Sequence, residues 1–399
     1  MNRRLAEHTL IENQEGLEKF YNENTDITWL GFDTEFIGEK RYYTLLCLIQ
    51  IVTANGIYLI DTLKVDRFDG FLDMLTDPSI IKITHAGEND YRLLNSQFEV
   101  TPVNLFDVQI AAGFVGYKFP ISFQKLLDKE LGVHISKGYT VSDWKSRPIN
   151  NKQLQYALND VIYLHKLWTR LSKKLNNYKR MEWAKKEFSL WEKPAFYQVD
   201  PHKEAFANSL IFNLNVQEQV FLIRLYEWRR ATAERKNYSK DMILQSKYIA
   251  GIVRNIRSGK AALKNHRRIP DGIINQHWET FNKLYQTKIS PDERELLKRI
   301  PEPAEIEANN DDQSMEILHL LIKYKCNQHR MAHDLLLYRV DMKKMKLHPD
   351  YFDTKLETGW RKEFLGEGFI EWIKERSRLE IDMDGEECII RLRSGEESK

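Results

Sequence analysis

Asp33 and Glu35 are the first residues of this 399-residue sequence whose types and spacing could do chemistry. The residues 27–33 are mostly apolar and predict a strand, so these two carboxylates point to the same face. Carboxylates held together in a half-buried place repel each other unless a cation lies between them. The same spacing recurs at 128–130 and 384–386, where solvated charge is the better interpretation. Asp33 and Glu35 are therefore as compatible with a metal site as with a structural acidic pair.

Three further side chains could join this pair. Tyr156 and Asp160 lie four residues apart in a strongly helical pattern and share one helix face. Asp90 lies near the start of another helix, where aspartate is also favoured for capping. Each has an ordinary structural interpretation when it is taken alone. Together, four acids could converge on one pocket, and such hard oxygen ligands suit Mg²⁺ or Mn²⁺. Two of these ions about 4 Å apart are a standard device for cleaving phosphodiesters.

The elements that would position these side chains are strands followed by a strand–helix alternation. The four predicted strands are 27–33, 43–52, 56–61 and 79–84. Short turns separate the first three strands, which suggests antiparallel pairing, and helical spacing dominates from Asp90 to Leu171. This order predicts an α/β domain with a mixed sheet over residues 1–192.

The second half of the chain predicts helices in two blocks. A proline-containing stretch without a clear period precedes them, and a stretch with five acids, no bases and two prolines divides them. The predicted boundaries are a linker at 193–212, a first helical domain at 213–300, an acidic linker at 301–312, a second helical domain at 313–377 and a charged C-terminal tail at 378–399.

Composition narrows the class of protein. Hydrophobic residues make up 42% and charged residues 30%, as in soluble chains with real cores, and the formal net charge is +2. Three scattered cysteines, Cys47, Cys326 and Cys388, are too few for a disulfide framework or a thiolate metal site. No run approaches the roughly 20 apolar residues of a membrane span, and the N-terminus lacks a signal-peptide pattern. We therefore expect a soluble, cytoplasmic monomer with no membrane partner.

Several segments resemble the exonuclease motifs of the ribonuclease D family, within the Asp-Glu-Asp-Asp exonuclease superfamily. Residues 32–51, which begin F-D-T-E-F, resemble the first motif, and H-A-G-E-N-D at 85–90 resembles the second. Residues 142–164, which begin S-D-W-K-S-R-P, match the third, and 105–117 also fit the family. The resemblance covers about 27–172 in the expected order and spacing. It implies a ribonuclease H-like α/β fold for the nuclease domain.

The resemblance also implies a role for each of the acids and the tyrosine introduced above. The ligands of two divalent metal ions, Mg²⁺ or Mn²⁺, would be Asp33, Glu35, Asp90 and Asp160. Tyr156 would orient the attacking water. One branch of the superfamily has a tyrosine four residues before the last aspartate, and the other has a histidine five residues before it. Position 155 is glutamine, which identifies the tyrosine branch.

Other polar residues near these motifs favour structural roles. Asp61 and Asp107 end apolar strands or open helices, which favours capping. His85 is expected to support or pack against the site. Trp144 and Arg147 could shape the groove or contact substrate, and packing of the tryptophan is equally compatible with its position.

The helical half carries a strong local surplus of positive charge. Residues 216–268 hold thirteen lysines and arginines against four acids. Most such runs are solvated helix faces, but a surplus this large beside a nuclease favours phosphate binding without sequence choice. Residues 222–244 resemble the helicase-and-RNase-D C-terminal (HRDC) domain, and a fainter copy is predicted at 313–377. The predicted nucleic-acid-binding residues are Arg229, Arg230, Arg235, Lys236, Lys240, Arg267 and Arg268.

We therefore expect an α/β nuclease domain, followed by two all-α HRDC-like domains, that trims RNA 3′ ends and releases 5′-nucleoside monophosphates by two-metal-ion hydrolysis. The resemblance implies RNA with a free 3′ end, typically a tRNA precursor, as its partner. Two alternatives stay open. A DNA 3′–5′ exonuclease of the same superfamily would share all five site residues. A catalytically inactive RNA-binding adaptor would usually have lost one of the ligands.

Overall fold

The computed structural model describes residues 5–135, 143–300, 311–337, 356–375, 379–384 and 387–392. The chain divides into two compact units, and each unit is discontinuous in sequence. The first unit contains Met1–Glu35, Cys47–Tyr197 and Ala304–Lys399, and the second contains Phe36–Leu46 and Gln198–Pro303. Ser142 of the third motif and residues 301–310 of the predicted acidic linker lie outside the described ranges. Within those ranges, no helix combines the length and apolar character that crossing a membrane requires.

A six-stranded mixed sheet forms the centre of the first unit. Its strands are β1 Thr9–Ile11, β2 Trp29–Ile37, β3 Leu45–Val52, β4 Ile57–Ile60, β5 Ile81–Thr84 and β6 Leu105–Asp107, in the order β1-β4-β3-β2-β5-β6. Strand β3 pairs antiparallel with β4, whereas β2 with β5, β5 with β6, and β1 with β4 pair in parallel. The predicted α/β class with a mixed sheet is therefore confirmed. The short edge strands β1 and β6 were not predicted, because three residues are too few to show a period of two.

Helices surround this sheet. They are α1 Gln14–Glu23, α2 Asp69–Thr76, α3 Glu88–Phe98, α4 Val108–Phe114, α5 Phe123–Leu131, α6 Asn151–Ile162, α7 Leu164–Asn177, α8 Met181–Phe188 and α9 Pro194–Tyr197. The core contains the apolar strands β2 and β3, whose residues Phe32, Leu48 and Ile49 are fully buried. Because β3 is buried along almost its whole length, it reads as a continuous apolar run rather than an alternating one.

Gly31, near the middle of β2, allows a close approach between the sheet and the helices that follow the third motif. A Cβ at this position would lie 2.8 Å from Val52 Cγ1 and 3.1 Å from Leu164 Cβ. Leu164 is the first residue of α7, and α6 ends only two residues earlier. The missing side chain of Gly31 therefore determines how closely the α6–α7 junction packs against β2, two residues before Asp33.

Gly31→Ala is expected to lower the free energy of unfolding by about 1–3 kcal/mol, because the new methyl group would overlap two packed neighbours. Urea unfolding of the metal-free protein measures this change. Gly272→Ala in the second unit is the matched control, since no atom lies within 4 Å of a Cβ there. Unchanged stability of Gly31→Ala would contradict the close packing at this position.

The second unit is a helical domain with its own hydrophobic core. Its helices are α10 Lys203–Phe206, α11 Val216–Lys236, α12 Lys240–Ile243, α13 Ser246–Asn255, α14 Gly259–Lys264, α15 Asp271–Gln286 and α16 Pro291–Leu297. The core includes Phe221 of α11, Ile249 and Ile252 of α13 and Phe281 of α15, all fully buried. A capping box starts α11, in which Asn215 and Glu218 satisfy each other's backbone N–H groups.

The segment Phe36–Leu46 contains the end of β2, the connection to β3 and the start of β3, and it belongs to the helical unit. The backbone N–H of Tyr43 donates to Asn237 Oδ1 at 3.0 Å, and its hydroxyl donates to Glu234 Oε1 at 2.8 Å. The backbone N–H of Ser239 donates to the Lys40 carbonyl at 3.1 Å. The C-terminal end of α11 and the turn after it therefore hold the β2–β3 connection at Lys40 and Tyr43.

Further helices near the C-terminus belong to the first unit. They are α17 Asp311–Gln328, α18 His333–Leu336, α19 Gly359–Leu365 and α20 Glu367–Glu375, and they precede an antiparallel hairpin of β7 Leu379–Asp384 and β8 Glu387–Leu392. The buried Arg180 guanidinium donates to the carbonyls of Phe114, His329 and Arg330, which ties the end of α17 to the helices around the six-stranded sheet. Trp360 Nε1 donates to Glu187 Oε1 of α8 at 2.6 Å. The HRDC-like identity and the boundaries of the two helical domains stay predictions.

Candidate active site

Strand β2 and helix α6 bring three carboxylates together. The side chains of Asp33 and Glu35 lie two residues apart and point to the same face of β2, and Asp160 projects from α6. One oxygen from each of the three lies within 4.8 Å of the other two. All three residues are half-buried, so water only partly screens their charges. The spacing of these residues along the sequence therefore corresponds to a cluster in space.

Helix α6 holds Asp160 and Tyr156 through a well-defined start. Asn150 Oδ1 accepts hydrogen bonds from the backbone N–H groups of Lys152 and Gln153, and Gln153 Oε1 accepts one from the Asn150 N–H. This capping box fixes where the helix begins and hence which face carries Tyr156 and Asp160. The Tyr156 hydroxyl donates a hydrogen bond to the Asp160 carboxylate. The predicted tyrosine therefore lies against the acidic cluster.

Asp90 reaches the cluster from α3 on the other side of β2. The Thr34 hydroxyl, which points away from Asp33 and Glu35 along the strand, donates to Asp90 Oδ1. Asp90 is buried, and its charge also acts on Asp33 and Glu35. Asp33, Glu35 and Asp160 therefore form the cluster, and Asp90 lies near enough for its charge to act on all three while its own hydrogen bond is to Thr34. The role of Thr34 was not predicted. Because side chains alternate along a strand, its place between Asp33 and Glu35 indicates that its hydroxyl points to the opposite face of β2. The spacing does not indicate that Asp90 is its partner.

The turn before α3 has backbone requirements of its own. A Cβ at Gly87 would lie 2.4 Å from Thr84 Oγ1, so a larger residue would displace the start of α3. The Gly87 N–H donates to Asp107 Oδ2 at 3.0 Å, while Asp107 Oδ1 accepts from Gln109 N and Ile110 N at 2.9 Å. Asp107 thus caps α4 and fixes the turn that leads to Asp90, which confirms its predicted capping role.

Burial raises the pKa of all four carboxyl groups, and repulsion from a neighbouring carboxylate adds to it in each case. Desolvation by burial is the largest cause in each case. It raises the pKa of Glu35 to about 9, that of Asp160 to about 7 and that of Asp90 to about 6. The pKa of Asp33 lies well above its usual range, because the charges of Asp90, Asp160 and Glu35 add to its burial. Full ionisation of the cluster at neutral pH therefore requires a positive countercharge.

The donor set fits hard divalent cations. All four donors are carboxylates, the ligand type that Mg²⁺ and Mn²⁺ prefer. Asp160 Oδ2 is buried and has no hydrogen-bond partner among the described residues. An orphaned buried oxygen beside other carboxylates is costly unless a cation binds it. Asp33, Glu35 and Asp160 could hold one ion, and Asp33 with Asp90 could hold a second.

Arg147 of the third motif is committed to a structural ion pair. Its Nε and Nη2 atoms donate to the two oxygens of the fully buried Asp61 at 2.6 and 2.7 Å. It also donates to the carbonyls of Trp144 and Cys47 at 2.6 and 2.9 Å. This guanidinium joins the segment before α6 to β3 and to the end of β4. Arg147 therefore supports the position of α6 and leaves no free face for substrate.

The two neighbouring aromatic residues are also packed. Trp144 is 4% exposed and lies 6.1 Å from the Tyr156 ring, measured between ring centroids. His85 Nε2 lies 3.0 Å from the Ile121 carbonyl, and its ring contacts Phe123. Burial lowers the pKa of His85 to about 4, so its imidazole is neutral at physiological pH. These contacts support the packing role expected for His85 and, for Trp144, the packing alternative of the two that the sequence left open.

The seven predicted nucleic-acid-binding residues have different environments in the helical unit. Arg229 is 4% exposed and donates to Asp241 Oδ1 at 2.5 Å and to Ser246 Oγ at 3.0 Å. Lys240 pairs with Glu204. These two cations are neutralised within the domain, so Arg229 is structural rather than available to a phosphate. Arg230 is half-buried, and the exposed members of the set are Arg235, Lys236, Arg267 and Arg268.

The sequence is similar to a known exonuclease family and to curated ribonucleases D. Residues 8–176 match the family model described as 3′-5′ exonuclease. The chain is 26% identical to ribonuclease D of Granulibacter bethesdensis over 368 residues, which cover 91% of this chain and 92% of that protein. It is 28% identical to ribonuclease D of Bartonella henselae over 345 residues, which cover 85% and 83% of the two chains.

Solved structures show the same fold. The crystal structure of Escherichia coli RNase D, an exoribonuclease involved in structured RNA processing, superposes with a TM-score of 0.79 at 22% identity. It covers 94% of this chain and 100% of that one. A protein from Bifidobacterium adolescentis superposes with a TM-score of 0.67 at 17% identity, over 92% and 97% of the two chains. The shared fold therefore extends beyond the nuclease domain into the helical half.

Proposed function

Because this chain is a homologue of ribonuclease D and carries a 3′–5′ exonuclease domain at residues 8–176, we propose that it removes nucleotides stepwise from RNA 3′ ends. The observation that carries the proposal is the acidic cluster, in which Asp33, Glu35 and Asp160 meet and Tyr156 donates to Asp160. We propose precursors of tRNA as substrates, since the relatives are ribonucleases D and the Escherichia coli homologue acts in structured RNA processing.

The cluster supports hydrolysis with two divalent metal ions, Mg²⁺ or Mn²⁺. Asp33, Glu35 and Asp160 would hold the first ion, and Asp33 with Asp90 would hold the second. When bound, such ions lower the pKa of the attacking water and stabilise the leaving oxygen. The water oxygen attacks the last phosphorus, and the bond from phosphorus to the 3′ oxygen of the preceding nucleotide breaks. That 3′ oxygen takes up a proton, so the products are a 5′-nucleoside monophosphate and an RNA one residue shorter with a free 3′ hydroxyl.

Tyr156 is suited to orient the water rather than to take its proton. Burial, followed by the negative charges of Asp160 and Glu35, raises the pKa of its phenol far above the usual range. The phenol therefore stays protonated at every pH at which the protein works, and it can donate one hydrogen bond and accept another. Its position next to Asp160 places it beside the expected site of the first ion.

Tyr156→Phe is expected to lower kcat by about 10- to 100-fold with little change in KM, because the hydroxyl orders the water but does not bind the RNA chain. Single-turnover trimming of a 5′-labelled RNA measures the chemical step. Tyr163→Phe, which removes a hydroxyl where α6 meets α7, is the control and should trim at the normal rate. A normal rate for Tyr156→Phe would contradict the proposed role of this hydroxyl.

A time course on a 3′-extended tRNA and on a single-stranded DNA of matched length tests the function itself. Stepwise shortening of the RNA in Mg²⁺, stopped by EDTA, supports the proposal. Equal or faster shortening of the DNA would favour the DNA exonuclease instead. Stable RNA binding without shortening of either substrate would favour the inactive adaptor, although all four acids and the tyrosine are present.

A further inference from the structure

A groove of about 540 Å³ lies between α13 and the segment that follows α14 in the helical unit. One wall is a single face of α13, formed by Lys247, Ala250, Gly251 and Arg254 at helical spacing. The opposite wall includes Arg267 and Arg268. Lys247 and Arg254 were part of the basic surplus in the sequence but were not among the predicted contact residues.

Four cations face this groove, and no carboxylate is among the residues that line it. Within the described part of the chain, none of the four forms an ion pair. A second cavity of the same unit is different, because Glu204 and Asp241 lie in its lining and form ion pairs with Lys240 and Arg229. The two cavities therefore differ in charge, because carboxylates of the described residues pair with the cations of the second cavity but not with those of the groove. The four cations around the groove attract an anion.

The face of α13 in the groove has little side-chain bulk between its two cations. Ala250 and Gly251 separate Lys247 from Arg254, and the His266 ring packs over Gly251, with its Cε1 atom 3.0 Å from where a Cβ would lie. Seven residues of helix separate the two cations by roughly 10 Å along the axis. Phosphates of one nucleic-acid strand are spaced at about 3.4 Å along a duplex axis, so the groove spans about three of them.

We propose that this groove, lined by Lys247, Arg254, Arg267 and Arg268, binds the sugar–phosphate backbone of the RNA substrate without reading its bases. The proposal rests on the proposed function for the identity of the nucleic acid. Cations on two facing walls contact phosphates, and the amides of Asn255 and Asn265, which also line the groove, are available to sugar hydroxyls. The groove thus adds affinity for nucleic acid without sequence choice.

Fluorescence anisotropy with the full-length, inactive Asp33→Asn protein tests the groove separately from catalysis. The probe is a 5′-labelled RNA hairpin with a single-stranded 3′ end, titrated at several salt concentrations. Lys247→Gln with Arg254→Gln is expected to weaken binding by about tenfold at 100 mM salt. The slope of log affinity against log salt should become shallower by about 1.5 to 2, as loss of two phosphate contacts predicts. Lys260→Gln with Lys283→Gln, two exposed cations outside the groove lining, is the matched control.

The outcomes separate the groove from the proposed function. Weaker hairpin binding and a smaller salt slope for the groove variant alone support the groove, even if the wild-type protein trims no RNA. Equal weakening in the control variant would overturn it, because only net charge would then matter. A larger loss from Arg235→Gln with Lys236→Gln would also overturn it, by assigning the contact to α11.

Discussion

Asp33→Asn should reduce trimming of a 3′-extended tRNA by on the order of 10³-fold or more in Mg²⁺, while binding of the same RNA stays within about twofold of wild type. Asp33 is the one carboxylate that can contact both proposed metal positions, so its loss removes a ligand from each. Asparagine keeps the size of the side chain and one oxygen, which separates the effect of charge from that of packing. The measurement is single-turnover trimming of a 3′-extended tRNA, together with anisotropy of the same RNA.

The second occurrence of the Asp-x-Glu spacing supplies the control for this prediction. Asp128 is exposed and pairs with His134, whereas Glu130 is buried and pairs with Lys174 and Tyr117. Asp128→Asn therefore makes the same chemical change in the same short motif outside the cluster, and it should leave trimming unchanged. Unfolding in EDTA adds an independent readout. Asp33→Asn should be at least as stable as wild type, because it relieves repulsion among buried acids. Trimming by Asp33→Asn at a normal rate would refute the metal-site assignment.

The apparent affinity for Mn²⁺ should rise by about tenfold per pH unit between pH 6 and 8, or on the order of 100-fold in total. The pKa of Glu35 is about 9, so across this range a bound ion must displace the Glu35 proton, with a further contribution from Asp160, whose pKa is about 7. Calorimetric titration in two buffers of different ionisation enthalpy would count the protons released. An affinity that is constant with pH would show that the cluster is already ionised without metal.

The same pKa values determine how the stability of the metal-free protein depends on pH. Unfolded Asp and Glu side chains titrate near 4, whereas the folded pKa values are about 6 for Asp90, about 7 for Asp160 and about 9 for Glu35. Between about pH 4 and pH 9 the folded chain therefore binds more protons than the unfolded chain. Stability from these groups is therefore complete below about pH 4 and is lost as the pH rises through 6 to 9. Thermal unfolding in EDTA at pH 5, 7 and 9 should show this decline, and saturating Mn²⁺ should remove most of it. A rise in stability with pH in EDTA would contradict the raised pKa values.

The residues of the candidate site could be predicted from the sequence because they lie in a strand and a helix with clear periodic patterns. Asp33 and Glu35 follow an apolar strand, and Tyr156 with Asp160 lie on a capped amphipathic helix, so local spacing alone determines which side chains share a face. Thr34 was not accessible in this way, since its partner Asp90 is fifty-six residues away and only the tertiary fold joins them. Side-chain pairing of this kind has no sequence period.

The basic residues show the corresponding limit of charge counting. Arg229 and Lys247 have the same sign and lie in the same basic stretch, yet Arg229 is buried against Asp241 and Lys247 faces an open groove. A local net charge does not distinguish them, because the neutralising acids Asp241 and Glu204 approach through folding. The sequence also gave no indication of how the chain divides into units. The segment Phe36–Leu46 includes the end of one strand of the sheet and the start of the next, but it packs with helices formed by residues far along the chain.

The hydrogen bonds between that segment and the end of α11 impose an order on biosynthesis. Tyr43 and Asn237 are separated by 194 positions, so a ribosome adding roughly 5 to 20 residues per second needs about 10 to 40 s to supply the second partner. During this interval Tyr43 lacks the hydrogen-bond partners that the end of α11 and the turn after it later supply. A chain that stops before α11 never forms these bonds. The segment Phe36–Leu46 therefore completes its packing within the helical unit only after α11 has been synthesised.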